Sequence, residues 1–247
     1  MKNYSDINNR LIVRLALLIG LFLFAIKTQA QSSKGSSGLI NVPSAEMNAD
    51  GIVYMGGNFL PDAMTNEPFD YNTGNYYFNI TFLPFAEFTY CATLLKDEVT
   101  NNQDRAFGLR LRLLNESKHW LSVVAGGNDL YSSAGGIGSR YFNSFFVVGT
   151  KHLNYKGNTI GITAGYGTGG VRKQNLNGLF GGLQWTPPID FPVKFMIEYD
   201  ARVVSPGCEI TFLKKLHLYY TLYDFRHSSG GIAYRIELNK ARISNGS

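Results

Sequence analysis

From Gly51 onward the chain alternates between apolar and polar positions with a period of two. Phe195, Ile197, Tyr199, Ala201 and Val203 share one face of their segment, and Glu198, Asp200 and Arg202 share the other. Phe107, Leu109, Leu111 and Leu113 are set against Arg110 and Arg112, and Ile232, Tyr234, Ile236 and Leu238 against Arg235 and Glu237. The same holds for Leu216, Leu218, Tyr220 and Leu222 against His217, Tyr219 and Thr221. Tyr76, Phe78, Ile80 and Phe82 oppose Tyr77, Asn79 and Thr81, and Ile160, Ile162, Ala164 and Tyr166 oppose Gly161, Thr163 and Gly165. Successive side chains of a strand point to opposite faces of its sheet, so each segment reads as a two-faced strand. About twelve strands are predicted, at residues 51–60, 73–83, 85–95, 105–114, 118–127, 139–152, 158–167, 177–186, 193–203, 207–213, 215–224 and 230–239. Most approach the ~9–11 residues that a tilted membrane strand needs, where globular strands average ~5–6.

The connections carry a second period. Residues 61–72, 96–104, 128–138 and 168–176 are long and polar, whereas Leu83-Pro84-Phe85, Asn115-Glu116-Ser117 and Leu153 to Gly157 are short. Long outer loops alternating with short periplasmic turns are the pattern of outer-membrane barrels. The last three hairpins break it, with short connections on both sides. The polar face is rich in Gly, Thr, Tyr and Asn and poor in Lys and Glu, which suits a lumen better than the solvated surface of a soluble sandwich. Aromatics near strand ends (Tyr76, Phe82, Tyr90, Tyr166, Trp185) fit interfacial girdles. The expected fold is all-β, a single antiparallel transmembrane β-barrel of about twelve strands with both termini in the periplasm.

Composition sharpens this picture. The 247 residues include 27 Gly, 15 Tyr and 17 Phe, and only 17% are charged, against about a quarter in soluble proteins. Lys2, Arg10 and Arg14 precede the apolar run Leu15 to Ile26, and Thr28-Gln29-Ala30 puts a small residue before Gln31, the order of a cleaved secretory signal. The run is short for a membrane anchor of ~20 residues. Cleavage takes four positive charges (Lys2, Arg10, Arg14, Lys27) and one negative (Asp6) from the net +5 and leaves +2, so the basic balance is no argument for nucleic acid. The expected organisation is a signal peptide over 1–30, a periplasmic or lumen-docked segment over 31–50, the barrel over 51–240 and a short tail over 241–247. Within 31–50, Ser32 to Gly38 reads as a linker, and Leu39 to Ala45 is apolar enough to dock on the periplasmic rim or in the lumen, unless the segment is a disordered tail. Ser229, Gly231, Tyr234 and Ile236 resemble the terminal string read by the bacterial barrel-assembly machinery, although the chain continues to Ser247.

Catalytic chemistry finds little support. His119, His152, His217 and His227 fall in no metal-ligand or Ser/His/Asp spacing, so no metal, cofactor or enzymatic activity is expected. The Gly-rich stretch Gly165 to Gly170 precedes no helix and reads as a loop, not a phosphate cradle. Parity turns Cys91 inward and Cys208 outward, so both should be free thiols. Parity also gathers Glu87, Arg110, Arg112, Glu198, Asp200, Arg202, His217, Arg235 and Glu237 inside. A hairpin centred near residue 100 sets Glu87 opposite Arg112, and one centred near His227 sets His217 by Glu237 and Tyr219 by Arg235. Twelve strands at ~4.7 Å spacing and ~40° tilt enclose a radius of roughly 12 Å, which such side chains can fill. The lumen is therefore expected to be plugged by paired charges.

A series of local motifs resembles the YjbH-like family of outer-membrane proteins linked to exopolysaccharide production. They are Gly38 to Ala45 with Asp50-Gly51, Leu83 to Phe88, Asp104 to Arg112, Gly126 to Leu130, Gly181 to Trp185 and Glu198-Tyr199-Asp200, in order along the chain. Longer members carry tandem barrels and periplasmic parts, whereas this chain has room for one barrel. The resemblance implies an outer-membrane component of exopolysaccharide export or assembly in a Gram-negative cell, a non-catalytic scaffold or conduit. Its implied partners are outer-membrane lipid, the barrel-assembly machinery and periplasmic polysaccharide-export proteins. A general diffusion pore and a barrel enzyme acting on lipid or peptide are the alternatives.

Overall fold

The computed structural model describes residues 32–65, 71–96, 101–132, 142–169 and 176–238. The signal peptide expected over residues 1–30 and the short tail expected over 241–247 lie outside the described residues. Twelve strands follow one another: β1 (Ile52–Leu60), β2 (Thr73–Phe82), β3 (Ala86–Lys96), β4 (Asn101–Leu114), β5 (Ser122–Ser132), β6 (Ser144–Tyr155), β7 (Asn158–Gly169), β8 (Gly178–Thr186), β9 (Val193–Tyr199), β10 (Val204–Phe212), β11 (Leu216–Tyr223) and β12 (His227–Glu237). A single helical turn, α1 (Asp62–Thr65), opens the first long connection. Every strand pairs antiparallel with its chain neighbours, and β12 returns to β1 to close the barrel, from Ile52 opposite Glu237 to Phe59 opposite Gly230. Closure leaves no strand edge, so no row of backbone donors and acceptors is left unpaired along a side of the sheet.

The period-two reading of faces holds. Leu109, Leu111 and Leu113 of β4, Phe145 and Val147 of β6, and Ile160 and Ile162 of β7 are exposed on the outside. Asn79, Thr81, Glu87, Arg110, Glu198 and Thr221 are buried inside. The polarity of a soluble protein is inverted. Cys91 is buried, Cys208 is partly exposed, and both are free.

Several boundaries differ from expectation, each for a local reason. The fifth strand starts at Ser122 because Ser117 N–H donates to the Trp120 carbonyl at 3.0 Å, folding residues before it into a turn. The ninth stops at Tyr199: the Asp200 carboxylate accepts the N–H groups of Arg202 and Val203 at 3.0 and 2.9 Å and closes a tight turn before Val204. The third and fourth strands reach further than expected, pairing as far as Lys96 with Asn101. That moves the hairpin centre and sets Glu87 opposite Arg110, not Arg112. Tyr223 pairs with His227, so His217 faces Ala233 and Tyr219 faces Gly231, in place of Glu237 and Arg235.

Candidate functional site

The interior is occupied by the chain itself. Residues 32–48 fold into a compact loop inside the barrel, so the segment read as linker and dock is one packed unit. Ser33 N–H donates to the Ile40 carbonyl at 2.6 Å, and Leu39 N–H to the Val42 carbonyl at 3.0 Å, which makes Gly38 to Pro43 a tight hairpin tip. Leu39, Ile40, Val42 and Ala45 are essentially without solvent exposure and join Val124, Phe146, Val148, Phe180 and Met196 of the inner wall in one apolar cluster. Gly182 and Gly207 make room for it. A Cβ at Gly182 would lie 2.6 Å from Leu39 Cδ1, and one at Gly207 would collide with Ile40 Cδ1.

Polar side chains of the wall pin the loop's backbone. Glu87 accepts Ser37 N–H at 2.9 Å and the Ser37 hydroxyl at 2.5 Å. Arg110 pairs with Glu87 at 2.9 Å and donates to the carbonyls of Ser37, Ser44 and Glu46. Glu198 accepts Asn41 N–H at 2.9 Å and the Asn41 amide group at 2.5 Å, and Val42 N–H at 3.4 Å. Thr150 accepts Ala45 N–H at 2.8 Å, and Ser122 donates to the Ala45 carbonyl at 3.0 Å. Asn58 and Asn75 both donate to the Ser33 carbonyl at 2.8 Å. Buried backbone groups outside regular structure need such partners, and here the barrel supplies them. The charges thus serve the loop more than each other, which is a different plug from the one that parity and pairing suggested.

A second latch sits towards the short turns. Glu46 Oε1 lies 2.7 Å from His152 Nε2 and accepts from the Gln184 amide at 2.8 Å; His152 Nδ1 lies 2.6 Å from Glu116. Burial alone would push the Glu46 carboxyl up, but the His152 hydrogen bond and the nearby Lys194 outweigh it and hold the group down at about 2. Glu116 is also held below its ordinary value: burial opposes this, and hydrogen bonds with His152 prevail. Arg112 donates to the carbonyls of Pro84 and Met47 at 3.0 and 2.9 Å and ties the exit of the loop to the rim.

The other anticipated residues fall elsewhere. Asp200 is buried, and its second oxygen accepts the Tyr223 hydroxyl at 3.2 Å. Arg202 is exposed in the tight turn after β9, because the strand that would have carried it inward ends three residues earlier. Arg235 and Glu237 pair with each other along β12 at 2.6 Å. His217 is fully buried, 2.6 Å from Glu209 and 3.4 Å from the Tyr54 hydroxyl. Glu209, Glu46 and Gln184 were missed. Glu209 alternates correctly within β10 and was legible; Glu46 lies in a segment with no period.

Above the loop, towards the long connections, a cavity of ≈ 50 Å³ is lined by Lys34, Asn75, Asp129, Phe142, Asp200 and Tyr223. It has room for a few water molecules. Burial draws the Lys34 ammonium down to about 8, with Asp200, Cys91 and Asp129 opposing. Among the described residues, no group of three or more His, Cys, Asp or Glu is placed to hold a metal ion.

No curated protein matches the chain. The family model for YjbH, described as exopolysaccharide biosynthesis protein YbjH, matches residues 30–178. The match covers the lumen loop and the wall from β1 to the start of β8, including Glu87, Arg110 and His152. The motifs at Gly181 to Trp185 and Glu198 to Asp200 lie beyond it. A plugged twelve-stranded barrel whose matched portion contains the plug and two of its anchors, Glu87 and Arg110, is thus a member of the YjbH family, and its role is related to exopolysaccharide.

Proposed function

We propose that this chain is an outer-membrane β-barrel that serves exopolysaccharide export or assembly as a closed, non-catalytic scaffold. The observation that carries this reading is the filled lumen: residues 32–48 occupy it, and Glu87, Arg110 and Glu198 bind their backbone. The family relation supplies the exopolysaccharide link. The belt of exposed Leu, Ile, Val and Phe side chains supports a lipid environment, since so much contiguous apolar surface is costly in water. Export by the N-terminal signal, folding by the barrel-assembly machinery and periplasmic polysaccharide-export proteins as partners complete the reading. The short turns then face the periplasm and the long connections face outside.

Planar bilayers test the closed state. Purified wild-type protein should give no steady conductance, and a variant with residues 32–48 replaced by a Gly-Ser linker should give discrete channels. Large, stable wild-type channels would instead favour a diffusion pore. In the source cell, deletion of the gene should reduce surface polysaccharide without altering general permeability to small solutes; unchanged polysaccharide would remove the assigned role.

A further inference from the structure

The turns at the short end of the barrel are built unlike ordinary hairpin turns. Every one leaves a large apolar side chain in the open: Phe85 between β2 and β3, Trp120 between β4 and β5, Tyr155 at the β6–β7 turn, Phe191 between β8 and β9, and Leu213 between β10 and β11. Leu213 is 88% exposed and Trp120 69%. Two of the turns also place a leucine in the left-handed region, Leu83 at φ 63° and Leu213 at φ 49°. Gly or Asn would adopt that backbone with less strain, and a branched apolar side chain aimed at water gains nothing in return.

Three of these five turns also carry lysine. Lys118 lies two residues before Trp120, Lys156 follows Tyr155 with its ammonium 5.2 Å from the ring centre, and Lys214 and Lys215 follow Leu213. The carboxylates nearby are largely committed: Glu116 to His152 and Lys151, and Asp50 to Leu83 N–H; Asp190 stands on the β8–β9 turn. Apolar and aromatic tips interleaved with lysine are the chemistry of the boundary between acyl chains and headgroups, where the ring or leucine enters the apolar layer and the ammonium meets phosphate.

We infer that the short-turn rim is a binding surface for anionic phospholipid, with the turn tips immersed in the bilayer boundary and Lys118, Lys156, Lys214 and Lys215 on headgroup phosphates. This rests on the membrane reading given above and extends it from the wall to the turns, which otherwise would stand in water. The charge on the rim matches a phosphate surface, and the apolar tips form a ring around the whole end instead of one patch, as a planar bilayer requires.

The two tryptophans separate the wall from the rim. Trp120→Phe leaves only Trp185, on the outer wall between Ile160 and Phe195; Trp185→Phe leaves only Trp120, on the rim. Each variant is reconstituted in phosphatidylcholine vesicles with or without phosphatidylglycerol, and quenching by brominated acyl chains is compared with quenching by aqueous iodide. Bromolipid should quench both tryptophans strongly, and iodide should quench Trp120 weakly. Phosphatidylglycerol should shift Trp120 emission to the blue, and combined Lys118→Gln, Lys156→Gln, Lys214→Gln and Lys215→Gln should abolish that shift while leaving Trp185 unchanged. If Trp185 is quenched by bromolipid and Trp120 by iodide alone, the wall is in lipid and the rim is not, which overturns the inference. A phosphatidylglycerol-independent Trp120 would overturn the headgroup assignment. If bromolipid reaches neither tryptophan, the membrane reading itself fails.

Discussion

Arg110 is buried among acceptors from both the wall and the loop, and it shows how a charge is kept in an interior. Its partners are one carboxylate and three carbonyls, and Glu87 in turn accepts from Ser37. A buried ion pair is weak evidence of stability, but breaking one from a single side leaves an uncompensated charge, at a cost of about 3–5 kcal/mol. Arg110→Met should therefore lower the unfolding midpoint of the reconstituted barrel well below wild type, read by the heat-induced shift in gel mobility. Glu87→Leu combined with Arg110→Met should recover much of the loss. If the single variant unfolds like wild type, Arg110 does not carry the loop. Both residues could be found in the sequence by parity. Their pairing could not, because register depends on where the hairpin turns: β3 and β4 run on through polar residues such as Asn101 and Asn102 that look like loop. Arg202 was misplaced for a related reason. Nothing in the alternation warns that Asp200 will use its carboxylate to cap a turn.

At the scale of an element, the loop over residues 32–48 was the least legible part of the chain. Its apolar tip, Leu39 to Val42, was visible, but the serines before it looked like linker because their partners are supplied by distant strands. Such a loop should respond to acid. Glu46 ordinarily titrates near 4.5 and is held at about 2 in the folded barrel. A depressed carboxyl contributes stability above its unfolded value and loses it as pH falls through its folded value. The grip on Glu46 should thus be complete above pH 4.5 and fade towards pH 2. Brief openings in planar bilayers should become frequent across that window, and Glu46→Gln should show them already at neutral pH with little further pH dependence. Openings that rise with acid equally in wild type and Glu46→Gln would assign the latch to another group.

For the whole molecule, the alternation of faces was enough to give strand number, closure and which side chains point out. It works because closure exposes every strand to the same two environments, so no strand departs from the pattern to serve as an edge. The outward assignment is sharp enough to test at one position. Leu111 is exposed on the outer face of β4 towards its short-turn end, opposite Ala86 and Ala125. Arginine on a lipid face costs about 2–4 kcal/mol at the bilayer midplane, falling to ~0–1 kcal/mol near the interfaces. Leu111→Arg should fold into lipid vesicles with a correspondingly lower yield and denaturant midpoint, whereas Leu111→Phe should match wild type. Equal folding of Leu111→Arg would place that face outside the lipid.

The lumen loop also constrains the order of events in making the barrel. It lies at the start of the barrel-forming chain, yet Ser37 meets Glu87 fifty residues later and Asn41 meets Glu198 after 157. Contacts at such separations form late, because the intervening chain must first be drawn together. The loop cannot be complete until β9 has been laid down, and once β12 zips to β1 the side wall offers no gap through which it could enter. Its most direct route inside is to be there already, as a mandrel around which the strands are wound. A loop variant that folds slowly would then delay the final seam and leave β1 and β12 open for longer, so residues far from that seam would govern how fast it shuts.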